Sequence, residues 1–98
     1  MLLNDQVIQQ VWEKARIDSK NDPLMWRKDA CGAWIKRTEY ANRQSQYGWE
    51  IDYIDFEKPL TISNFQPVSW KNHVNTSTNT LRCIVSSVGV QNKDKSEL

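Results

Sequence analysis

The sequence predicts a small α+β domain, with a helix at the N-terminus, a central pair of strands followed by a short helix, and a last strand near the C-terminus. Three patterns carry that expectation. Val7, Ile8, Val11, Trp12 and Ala15 recur at helical spacing, with Gln9, Gln10, Glu13 and Lys14 opposite them. Trp49, Ile51 and Tyr53 alternate with Glu50, Asp52 and Ile54, the period of a strand with two unlike faces. A second apolar run, Phe65-Gln66-Pro67-Val68, follows a loop and leads into residues 69–75, which read as a short helix with Ser69 as its candidate N-cap.

Taken in order, Asn4 or Asp5 caps a first helix that the apolar spacing carries to about Ile17. The polar stretch 18–23 is a loop, because Pro23 stops a helix from running through it. Gly32 lets the chain turn or pass close to a neighbour, and Ala33-Trp34-Ile35 behind it reads as a short buried extended segment. After the central elements, Leu81-Arg82-Cys83-Ile84-Val85 reads as the last strand. Residues 1–90 then make one domain, and residues 91–98, polar and charged, read as a flexible C-terminal tail.

Ninety-eight residues suit a single compact domain. The hydrophobic content is 39% and the mean hydropathy −0.72, so the core has to be small and the surface wet. Five tryptophans supply much of the area that such a core buries. A net charge of +1 gives no global nucleic-acid signature. Between residues 26 and 50 there are nevertheless five Lys/Arg against three acidic residues, a modest basic patch. Two cysteines and one histidine cannot supply a four-ligand structural zinc site. A disulfide between Cys31 and Cys83 needs Cα atoms within about 7 Å, and the favoured reading is two small buried residues. No apolar run approaches the length of a membrane span, and Met1-Leu2-Leu3-Asn4-Asp5 lacks a charged leader, so the expected location is cytoplasmic.

Gly-Trp-Glu-Ile-Asp-Tyr at 48–53, Ser-Asn-Phe-Gln-Pro-Val at 63–68 and Trp-Lys-Asn at 70–72 resemble the HNH nuclease family and its ββα-metal motif. Arg27-Lys28-Asp29-Ala30-Cys31-Gly32-Ala33-Trp34-Ile35 extends the likeness toward a small bacterial and phage type of HNH-like protein. The resemblance implies that Asp52 and Asn72 hold a divalent metal and that Asn64 braces the loop before the second strand. It also implies a general-base histidine after Asp52, where this chain has Tyr53. An imidazole titrates near neutrality and takes a proton from water, whereas a phenol with a pKa of about 10 is a poor base at pH 7. His73, the one imidazole in the chain, is the candidate substitute base. Two protein ligands make a weak site for a hard cation without a bound phosphate.

Three function classes follow, in this order. The first is a catalytically degenerate HNH-nuclease-like protein that acts by binding, as a phage-type inhibitor or decoy engaging DNA or a protein partner such as a host nuclease or defence complex. It requires no cofactor. The second is a metal-dependent HNH endonuclease or nickase with an atypical base, using Mg²⁺, Mn²⁺ or Ni²⁺. The third is an assembly partner with no nucleic-acid role. Arg27, Lys28, Lys36, Arg37, Arg43 and Lys71 are the candidate contacts to phosphates or to a partner. Phe56, Pro59, Leu60 and Ile62 place apolar side chains in the central loop, a composition that tilts the expectation toward a protein partner.

Overall fold

The computed structural model describes residues 4–97; the expectations about residues 1–3 and Leu98 lie outside them. One helix, α1 (Asp5–Trp12), precedes eight short strands that pair as four antiparallel hairpins. These are β1 (Trp26–Lys28) with β2 (Trp34–Lys36), β3 (Trp49–Tyr53) with β4 (Phe65–Ser69), β5 (His73–Asn75) with β6 (Thr80–Arg82), and β7 (Val85–Val88) with β8 (Gln91–Asp94). Short 3-10 helices at Arg37–Glu39, Ile62–Asn64 and Lys95–Glu97 join or end them.

Of the two expected caps, Asn4 or Asp5, helix α1 uses Asn4, whose side chain accepts from Val7 N at 3.0 Å. It stops at Trp12, well before Ile17. Arg16 leaves the helical path because its backbone exchanges two hydrogen bonds with Lys28 of β1, at 2.8 and 2.9 Å. The carbonyls this leaves open at Glu13 and Ala15 accept from the buried Arg27 guanidinium, at 2.9 and 3.3 Å. The buried stripe of α1, Ile8, Val11 and Trp12, packs with Ala15, Ile35, Trp49 and Phe65 as the core. The Trp12 and Trp49 rings lie 5.2 Å apart. Strand β3 shows the expected alternation, its core side carrying Trp49, Ile51 and Tyr53.

The ββα-metal arrangement is not what the chain adopts, and the HNH-like α+β class expected from the sequence is replaced by a set of small antiparallel hairpins with one short helix. Among the described residues no α-helix follows β4. The Ser69 carbonyl accepts from Asn72 N at 2.8 Å, a single turn, and the chain then runs extended as β5. The Val74 amide, which a continuing helix would pair with the Trp70 carbonyl, is held instead by Asp52 Oδ2 at 3.0 Å, and Asp29 Oδ2 fixes the end of β4 through the Ser69 amide at 2.9 Å. The single last strand expected at 81–85 is divided between β6 and β7, and residues 91–94, read as part of a flexible tail, form β8. Asn92 secures β8, its side chain exchanging bonds with the Trp34 amide and carbonyl at 2.7 and 2.8 Å.

Cys31 and Cys83 form a disulfide with Cα atoms 5.4 Å apart, correcting the reading of two separate buried thiols. The bond joins the β1–β2 turn to the connection between β6 and β7. At that turn Gly32 has φ +84°, and a Cβ there would sit 3.0 Å from Ser86 Oγ, so the left-handed conformation and the approach of β7 both call for glycine. Gly48 has a second reason, since a Cβ there would lie 1.8 Å from the Asn42 carbonyl oxygen.

Candidate functional site

The residues read as a metal site do not converge as one. Asn72 is fully buried, and its whole amide is engaged. Its Oδ1 accepts from Ile84 N at 2.7 Å and Val85 N at 2.9 Å, while its Nδ2 donates to Asp29 Oδ2 at 3.0 Å and the Val85 carbonyl at 3.1 Å. An amide oxygen has two lone pairs, so none remains for a cation. The Asp52 carboxylate accepts from Tyr53 N at 2.8 Å and from Val74 N at 3.0 Å, bracing β5 against β3. Asp52 and Asn72 therefore do not fit a shared divalent metal. Among the described residues no three His, Cys, Asp or Glu side chains cluster as metal ligands. Tyr53, at the position of the expected base, turns to the core side of β3, with its ring 6.4 Å from Phe65.

Asn64 organises the loop between β3 and β4. Its Nδ2 donates to the carbonyls of Asp55, Lys58 and Pro59, at 2.8, 3.2 and 3.2 Å, and its Oδ1 accepts from Asp55 N at 2.9 Å. Asp55 extends the network, since its Oδ1 accepts from Asn79 Nδ2 at 2.7 Å and Glu57 N at 3.0 Å. Those two hydrogen bonds, with a smaller contribution from Lys58, hold the Asp55 carboxyl below its ordinary value. Asn79 Oδ1 in turn accepts from Phe56 N, at 3.1 Å. Lys14 closes the far end, its ammonium donating to the Ile62 carbonyl and, at 2.9 Å, to that of Phe65. On this fastened loop Ile54 is 51% exposed, Phe56 37% and Leu60 51%.

The six basic candidates divide into three pairs. Arg27 and Arg37 are structural: Arg27 closes the end of α1, and Arg37 donates to Gln9 Oε1 at 2.9 Å. Arg43 and Lys71 share an open cleft of about 500 Å³ with His73, Glu50, Trp70 and Ile84. There Arg43 makes a two-pronged pair with Glu50 at 2.7 and 2.8 Å, which holds its guanidinium above the ordinary value. His73 is exposed in this cleft while Asn72 beside it is buried, so the two side chains serve opposite sides of the chain. Lys28 and Lys36 lie on the β1–β2 hairpin, paired across the strands with Trp34 and Trp26.

Asp29 carries a central structural role that sequence reasoning missed. It is fully buried, and its carboxylate accepts four hydrogen bonds: from Cys31 N and Ala33 N on one oxygen, and from Ser69 N and Asn72 Nδ2 on the other, at 2.9 to 3.0 Å. An acid just before a Cys-Gly turn is a signal for local capping, but nothing local points to partners forty residues on. Compared with family models, curated proteins and solved structures, the chain matches none.

Proposed function

We propose that this protein acts by binding a protein partner, and that the loop between β3 and β4 is its contact surface. The observation that carries the reading is a loop fastened at both ends by polar side chains while it holds Ile54, Phe56 and Leu60 out to solvent. Exposed apolar side chains mark association surfaces, and a loop ordered beforehand loses less entropy on docking. The engaged state of Asp52 and Asn72 supports binding over metal-dependent cleavage. The inhibitor or decoy role expected from the sequence is compatible with this reading.

The nuclease reading retains one supporting observation, the cleft that brings His73 together with Arg43 and Lys71. Supercoiled plasmid incubated with Mg²⁺, Mn²⁺ or Ni²⁺ separates the two. No nicking by the wild type is the expected result, and nicking abolished by Asp52→Ala overturns the binding reading. The loop is tested separately: a stoichiometric complex formed by the wild type should be lost in Phe56→Ser/Leu60→Ser, whose fold is checked by circular dichroism.

The setting also bears on function. Among the described residues no helix is long and apolar enough to cross a membrane. The Cys31–Cys83 disulfide argues against the expected cytoplasmic location, because such bonds persist in oxidising compartments and are rare in the cytosol. We propose an oxidising setting, in which a partner meets the cross-linked form.

A further inference from the structure

We propose that an aromatic slot beside the β1–β2 hairpin, remote in sequence from the partner loop, binds a nucleotide, with the base among Trp26, Trp34 and Tyr47 and the phosphate at Lys28 and Lys36. The slot has a volume of about 240 Å³ and is completed by Asn21 and Val90. That lies just below the roughly 300–1,000 Å³ of pockets for drug-sized molecules, a size suited to one flat ring system.

Its walls are fixed in advance. The Trp34 indole N–H donates to the Gly89 carbonyl and the Tyr47 hydroxyl to the Val90 carbonyl, each at 2.7 Å. The Trp26 ring meets Tyr47 edge-on at 4.9 Å and Trp34 edge-on at 6.3 Å. Ammonium groups lie over two of these rings, Lys28 Nζ at 4.5 Å from the Trp34 ring and Lys36 Nζ at 5.4 Å from that of Trp26, beside the slot rather than in its lining. A base seated in the slot gains by stacking on an aromatic ring. The ammonium groups over the lining rings then lie beside the ligand, where a phosphate neutralises them. Asp18 offsets Lys28 in part, at 3.8 Å, whereas among the described residues Lys36 has no carboxylate within ion-pair distance. That surplus of positive charge selects an anionic ring over the quaternary ammonium that an aromatic cage otherwise suits.

The test is tryptophan fluorescence of the intact, oxidised chain titrated with AMP, with adenosine, with a short single-stranded oligoadenylate and with choline. AMP should quench saturably, and adenosine should bind about fivefold or more weakly. Trp26→Leu should lose about tenfold or more in affinity, and Lys28→Gln/Lys36→Gln about fivefold with a flatter salt dependence. An oligoadenylate that binds more tightly than AMP with a steeper salt slope identifies a single strand as the source of the nucleotide; equal affinity identifies the free nucleotide. Absence of saturable binding by either, binding indifferent to the lysine pair, or choline binding more tightly than AMP overturns the proposal. If Trp26→Leu fails to fold, the lysine pair, half-buried and outside the core, decides alone.

Discussion

Asn72 shows how one side chain carries two opposite readings. From sequence, Asn72 fell in a candidate short helix, and the resemblance to HNH nucleases implied that it holds a metal; in the structure it is a buried connector that reaches Asp29 on one side and Ile84 and Val85, where β7 begins, on the other. Replacing it by alanine leaves two backbone amides and part of a buried carboxylate without partners. Asn72→Ala should therefore lose about 3–4 kcal/mol of stability, measured by urea unfolding. A metal-ligand role predicts instead a nearly unchanged stability with altered metal affinity. Tyr53 was legible only in part: its place on the core side follows from the alternation in β3, but its ring packing beside Phe65 depends on a strand twelve residues away.

At the scale of elements, the strands with clear alternation or apolar runs were readable, namely β2, β3 and β4. Short strands made of polar residues were not. Gln91–Asp94 has no apolar pattern, and it becomes β8 because Asn92 bonds to Trp34 and the backbone pairs with β7. The same dependence on distant partners decides residues 69–75, where the Val74 amide that a helix would need goes to Asp52. The loop between β3 and β4 has its own pH dependence. The Asp55 carboxyl is depressed in the folded chain, so its contribution to loop order is complete above the ordinary value of 3.8 and is lost as the pH falls through the lowered value. Partner binding should hold to the lower edge of the carboxylate range and then drop, and Asp55→Asn should remove that acid limb. A binding-versus-pH profile of both forms checks this.

For the whole molecule, four two-stranded ribbons share no continuous sheet, so cohesion comes from cross-links between them. The core around Trp12 and Trp49 is one; the Asp29–Asn72 pair and the disulfide are the others. The disulfide closes a separation of 52 residues, and loop-closure entropy gives it about 4 kcal/mol. Cys31→Ser/Cys83→Ser should be less stable by roughly that amount in guanidinium unfolding, and reductant should bring the wild type to the same midpoint. Neither cross-link was legible, because each joins positions more than forty residues apart and pairing at that distance leaves no local pattern.

The buried Asp29 carboxylate gathers the β1–β2 turn, the end of β4 and, through Asn72, the start of β7, without drawing on the loop at residues 54–62. The chain is thus divided into a part that tolerates little change and a part that is nearly independent of it. Substitutions at Phe56, Leu60 or their neighbours can accumulate without loosening the hub, so the contact surface proposed there is free to track a changing partner. A lineage under pressure from such a partner would vary here while the two cysteines, Asp29 and Asn72 stood still.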